Sequence, residues 1–176
     1  MTCRNIRKKA NEIKKYGIND PFLLCRFLRI VLNYHNFGSG SGAIKGLYTR
    51  IAGVDLITLN ADLPYSLQKV VLWHEIGHSV LHTRKTSFAE LSLGSEADQY
   101  ETEANLFAAE MMIENGDILA LLDGRKTVNE IAGELFLPAE IIDFKLRMMK
   151  DEGIAFIDPP MTAKGNFLKD TAFRRI

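Results

Sequence analysis

Only two cysteines, Cys3 and Cys25, occur in the 176 residues, and neither belongs to a CxxC pair. That spacing argues against a disulfide framework and for free thiols in a reducing compartment. Net charge is also missing: 22 basic residues balance 22 acidic ones, and the pI is near 6.9. No global field therefore draws the chain to nucleic acid or to an anionic membrane. No apolar run approaches bilayer length, and Ile6 to Tyr16 is too polar to be the core of a signal peptide. The expected address is the cytoplasm. No repeat of solenoid period is visible, which excludes a stacked-repeat architecture. What is present is an ordinary globular composition, 47% hydrophobic and 25% charged, which excludes disorder and suffices for a buried core.

Periodicity orders the elements. Arg4 to Tyr16 shows helical spacing at Ile6, Ala10 and Ile13 and stops at Gly17. Asp20-Pro21 has the form of an N-cap and first turn, and Phe22 to Tyr34 carries apolar residues at helical intervals, which predicts a second, buried helix. The Gly/Ser run from Phe37 to Gly42 reads as a loop. Ala43–Tyr48 and Val54–Leu59 flank a turn at Ala52-Gly53 and predict an antiparallel hairpin. Ser66 is the expected cap of the next helix, which contains Leu67, Val70, Val71 and Trp73. Further helices are expected at Glu96–Ile113, Thr127–Leu135 and Pro138–Lys150. From Phe156 onward, Pro159-Pro160, Gly165, Arg174 and Arg175 suggest an extended arm. The class is α+β: one mainly helical domain over 1–155 with a small antiparallel sheet, followed by the arm 156–176.

Inside the third apolar helical stretch stands His74-Glu75-Ile76-Gly77-His78, an HExxH motif. With 4 His and 12 Glu in the chain, about 0.006 such matches are expected by chance. At about 100° per residue, His74 and His78 project one turn apart on one face, so both imidazoles reach one metal ion. Glu75 falls beside them, placed to take a proton from a water at that metal and poorly placed to be a ligand. A catalytic zinc takes a third protein ligand from another element. Candidates Glu101, Glu103 and Asn105 cluster in the run from Tyr100 to Glu110, whose small residues Ala104, Ala108 and Ala109 permit close helix approach. Glu101 and Asn105 share a face, so one can ligate while the other supports a histidine. Glu103 points elsewhere and is the reserve ligand. His82 lies about 12 Å of helix rise from His74, too far to share a metal with it, and its expected role is outer support or surface.

These residues resemble the ImmA/IrrE family of zinc metallopeptidases, whose pattern is HExGH on one helix followed by a glutamate helix of the ExxAN-x-FAAE kind. The resemblance is most specific from Val70 to Met112, at His74, Glu75, Gly77, His78, His82, Glu101, Ala104, Asn105, Phe107, Ala108, Ala109 and Glu110. It implies a zincin-like fold, zinc held by His74, His78 and Glu101, Glu75 as general base and Asn105 in support. It further implies a protein substrate, a helix-turn-helix repressor. One departure is Met111-Met112-Ile113-Glu114, which lacks the proline that usually ends the glutamate helix.

Thr127 to Glu130 has capping-box spacing, and with Leu137-Pro138 it makes 115–152 helix-turn-helix-like. Glu140 and Asp143 sit where a recognition helix would meet phosphates, which disfavours direct DNA binding and favours a packing or docking role. A rival to the protease is a non-catalytic metal-containing regulator. Glu75 separates them, because a structural zinc has no use for a carboxylate beside an open coordination position. Tyr48, Tyr65 and Tyr100 are candidate donors to the reaction's developing oxyanion.

Overall fold

The computed structural model describes residues 1–40, 42–82, 95–122 and 124–159, with the backbone alone at 95–97. Among them are ten elements: α1 (Cys3–Lys14), α2 (Pro21–Leu28), β1 (Val31–His35), β2 (Gly46–Ile51), β3 (Val54–Asn60), α3 (Tyr65–Leu81), α4 (Ser95–Met112), α5 (Asn115–Leu121), α6 (Val128–Leu135) and α7 (Ala139–Asp151). The fold is α+β and mainly helical, as the periodicity predicts.

The expected second helix is cut short. Asp20 caps α2, its carboxylate accepting from the N–H groups of Phe22 (2.9 Å) and Leu23 (3.1 Å). After Leu28, Arg29 adopts a left-handed conformation (φ +59°), and the Ile30 N–H donates back to the Cys25 carbonyl at 2.9 Å. This closes the helix as a glycine would, and it redirects Val31 to His35 into a strand. Val31 and Tyr34, predicted helical, are therefore strand residues. The sheet order is β1-β3-β2: the predicted hairpin β2–β3 is antiparallel, and β1 pairs with β3 in parallel, Val31 opposite Leu56. The sheet is mixed rather than wholly antiparallel.

Asn60 ends β3 and organises the loop before β2. Its amide donates to the carbonyls of Gly38 (2.7 Å) and Ile44 (2.8 Å), and its Oδ1 accepts from Phe37 and Asp62 N–H groups. A buried side chain thus ties the start of the glycine-rich run, at Phe37 and Gly38, to Ile44 beyond its end. Pro64, not Ser66, occupies the cap position of α3, which makes no side-chain cap hydrogen bond.

Two apolar clusters share α3 and α4. The first gathers Ile6, Ala10 and Ile13 of α1, Leu24 of α2, Ile57 and Leu59 of β3, Trp73 and Ile76 of α3, and Phe107 of α4. The second seats Ile131 of α6 and Ile141, Ile142 and Met149 of α7 against Val70 of α3 and Ala109 of α4. Thr127 and Glu130 form the expected capping box at the start of α6. α7 is chiefly a packing helix: Lys145 is 1% exposed and turns its ammonium inward to Glu110 of α4 (2.8 Å). α4 ends at Met112 without a proline, and Glu114 is the N-cap of α5, a helix the periodicity did not indicate. Ile154 and Phe156 pack on the second cluster; the remainder of the expected arm, from Pro160, lies outside the described residues.

Candidate metal centre

α3 and α4 meet at small residues. A Cβ on Gly77 would lie 3.1 Å from the Phe107 ring and 3.2 Å from both the Cα and the carbonyl oxygen of Ala104. Two backbones this close leave little room to relax around an added methyl group. The glycine inside HExGH therefore serves the close helix approach that carries residues of α4 to the histidines.

His74, His78 and Glu101 come together across that contact, with one ligand atom from each lying within 4.8 Å of the others. His74 Nε2 is 3.0 Å from His78 Nε2. Glu101 Oε2 stands 3.3 Å from His74 Nε2, and its Oε1 stands 3.4 Å from His78 Nε2. A tetrahedral ion with bonds of about 2.0–2.1 Å sets its ligand atoms about 3.4 Å apart, and each of the three separations is close to that, the two to Glu101 being made by different oxygens of its carboxylate.

Hydrogen bonding says which atoms are bare. His74 Nδ1 faces Asn105 Oδ1 at 2.9 Å, and a carbonyl oxygen only accepts, so the ring carries its proton on Nδ1 and turns a lone pair on Nε2 into the site. Glu101 Oε2 is buried and finds no aligned hydrogen-bond donor among the described residues. Such a gathering of acceptors is costly without a cation at its centre, and the donor set fits a metal ion. The electrostatics agree. Burial by itself raises the Glu101 pKa, but the nearby imidazoles of His74 and His78 outweigh it and hold the carboxyl well below the usual range. Burial lowers that of His74, yet Glu101, Glu75 and Asn105 together push it up. Both directions describe a fixed anion facing two imidazoles.

Glu75 is 3% exposed and stands beside β2. The Tyr48 backbone N–H donates to its carboxylate. Burial pushes its pKa up, against the pull of His74 and His78. Gly46 makes this placement possible: a Cβ there would lie 2.5 Å from Val71 Cγ1 and 2.8 Å from Glu75 Oε1. Sequence reasoning missed Gly46. The available signal was a lone glycine inside the expected strand Ala43–Tyr48, which marks close approach of another group. Gly46→Ala is expected to cost about 1–3 kcal/mol in urea unfolding, the range for overpacking, while metal affinity stays at the wild-type level because no candidate ligand is touched.

The remaining candidates are sorted by contact. Glu103 is 3% exposed and engages His82, its Oε2 lying 3.0 Å from His82 Nε2. Its Oε1 accepts from Gln99 (2.7 Å) and contacts the Met1 amino group. His82 Nδ1 is 3.2 Å from His78 Nδ1, so His82 backs the site without reaching its centre. Burial, helped by the charge of His78, drops the His82 pKa to about 3. Tyr48 donates its hydroxyl to Asp55 (2.6 Å), and Tyr65 stacks on Phe22 at the far end of α3. The Tyr100 ring lies against His82, with centroids 4.6 Å apart.

Comparison with known proteins places the chain in a family. Residues 25–147 match the IrrE N-terminal-like domain of the peptidase M78 family. The chain is 30% identical over 137 residues to an uncharacterized immunity region protein 2 of Bacillus phage phi105, covering 76% of this chain and 83% of that protein. It is 27% identical over 150 residues to the metallopeptidase ImmA of Bacillus subtilis strain 168, covering 82% and 86%. With the family match spanning most of its length, the chain belongs to the ImmA/IrrE family of metallopeptidases.

Proposed function

We propose that this protein is a zinc-dependent endopeptidase in which His74, His78 and Glu101 hold the metal and Glu75 is the general base. One observation carries the reading: two imidazole nitrogens and the Glu101 carboxylate converge, 3.0 Å apart between the nitrogens and 3.3 and 3.4 Å from them to the carboxylate oxygens, beside a buried carboxylate that is not among them. Zinc bound there would supply Lewis-acid polarisation of the scissile carbonyl and ease the deprotonation of water. The chain's own groups do the rest. Asn105 fixes the His74 ring. Glu75, held by the Tyr48 N–H, accepts the proton of the attacking water and can return it to the leaving amine. Its burial favours proton acceptance, since a desolvated carboxylate is a stronger base.

The substrate we infer is a helix-turn-helix transcriptional repressor, encountered in the cytoplasm. The phage relative's name, an immunity region protein, fits a regulator of phage genes as target. Residues 1–155 are read as one peptidase domain, because both apolar clusters draw on α3 and α4. The α6–α7 pair belongs to that domain as packing or docking structure. Among the described residues no helix is long and apolar enough to cross a membrane.

Elemental analysis of protein purified without chelators tests the metal. The wild type is expected to hold about one zinc per chain and Glu101→Ala to lose it, as removal of one of three protein ligands predicts. A wild type that takes up no supplied zinc sinks the reading.

A further inference from the structure

Three of the chain's four histidines stand at 74, 78 and 82, the first two one turn apart on α3 and the third at its C-cap. The first two are accounted for by the metal reading. The third is not a ligand, yet it is nearly buried, its side chain 10% exposed, and both of its ring nitrogens are engaged. A histidine placed only to fill space has no need of two aligned polar partners.

Proton bookkeeping fixes the direction of these bonds. Glu103 Oε2 is a carboxylate oxygen and only accepts, so His82 Nε2 donates to it at 3.0 Å. Glu103 is itself held from the other side, where Gln99 Nε2 donates to Oε1 at 2.7 Å, so Oε2 is the oxygen left for the ring. A neutral imidazole that donates from Nε2 has its lone pair on Nδ1. That lone pair faces His78 Nδ1 at 3.2 Å, and the bond between them requires the proton on His78 Nδ1. His78 Nε2 is then bare, and it is the atom that faces His74 Nε2 and Glu101. The opposite order, with His78 Nε2–H pointing into the cluster, would block the site with a proton.

We propose that His82 and Glu103 form a relay that locks His78 in the tautomer whose Nε2 is open to the metal, making both of them positioning residues. This role rests on the metal reading above. It gives the two histidines separate supports from one helix: Asn105 acts directly on His74, and Glu103 acts on His78 through a second imidazole. Tyr100 packs its ring against His82. It also assigns Glu103 a function other than ligation, and explains why an acidic side chain is buried two residues from Glu101.

The test is metal affinity of the full chain, measured by zinc titration against a competing chelator and by the visible spectrum of the cobalt form. Loss of an outer-shell partner of a metal-bound histidine costs about 10- to 100-fold in affinity, and His82→Leu and Glu103→Ala are each expected to fall in that range. His82→Gln, which keeps one acceptor and one donor, is expected to recover most of the loss. A merely structural role would lower the melting temperature of the metal-free protein in parallel and would not distinguish glutamine from leucine. Independently of any variant, nitrogen-15 spectra of the zinc-loaded wild type should show His82 as the Nε2–H tautomer and His78 as Nδ1–H. Wild-type affinity in His82→Leu, equal loss in the glutamine and leucine variants, or an Nδ1–H tautomer at His82 would each overturn the relay. A wild type that binds no zinc instead overturns the metal reading, and the relay with it.

Discussion

Glu75→Gln is expected to lower cleavage of the substrate by about 10²- to 10⁴-fold, the usual contribution of a positioned general base, while leaving metal content unchanged. Glutamine has nearly the same shape, so it fits beside Gly46 as the glutamate does. Its amide oxygen can still accept from the Tyr48 N–H. What it cannot do is take a proton from water. Because burial works against the Glu75 charge, the neutral amide should also leave the melting temperature equal or slightly raised. Cleavage, metal content and unfolding measured on one preparation check all three expectations. Undiminished cleavage by the variant would remove Glu75 from the chemistry, and unchanged cellular output would favour a non-catalytic regulator.

The largest effect on stability is expected at Glu110, the glutamate that ends the FAAE segment. It is 4% exposed and stands at the junction of three helices. Its Oε1 accepts from Arg7 Nε of α1 at 3.1 Å, and its Oε2 accepts from Lys145 Nζ of α7 at 2.8 Å. Arg7 also pairs with Glu152, just after α7. Glu110→Ala would strand one fully buried cation and leave a second with a single partner. Breaking a buried pair from one side costs about 3–5 kcal/mol, a large part of the 5–15 kcal/mol that typically holds a domain together. Lys145→Met should cost far less, since Glu110 keeps Arg7 and the thioether replaces a desolvated ammonium. Urea unfolding of the two variants side by side gives the comparison. Equal losses would mean that the network acts through packing rather than charge.

Glu110 also shows how a sequence pattern mixes purposes. It belongs to the same run as Glu101 and Asn105, but it ties α1 and α7 to α4 and does not reach the histidines. Arg29 shows a different kind of opacity. Apolar spacing through Tyr34 was continuous, and the helix end was written in neither a glycine nor a proline, so the left-handed turn at an arginine carried no local signal. The strand β1 was hidden with it, because a short apolar run reads equally well as buried helix or strand until its partner is known. The hairpin was plain for the opposite reason: a turn at Ala52-Gly53 between two β-rich runs is a local device.

What the sequence determined by itself is local. Histidines four apart share one face of any helix, and Glu75 must fall beside them, whatever the rest of the chain does. The capping box at Thr127 and the cap at Asp20 follow in the same way from neighbours in the chain. The tertiary structure decided what distance along the chain leaves open. Glu101 and Glu103 are chemically identical, and only the packing of α4 on α3 at Gly77 and Ala104 sends one to His74 and His78 and the other to His82. The dry setting of Glu75 likewise depends on a glycine 29 positions earlier, on a strand whose register is set by its partner. Helical periodicity is a property of a few bonds, whereas burial and convergence arise only when separate elements exclude water together.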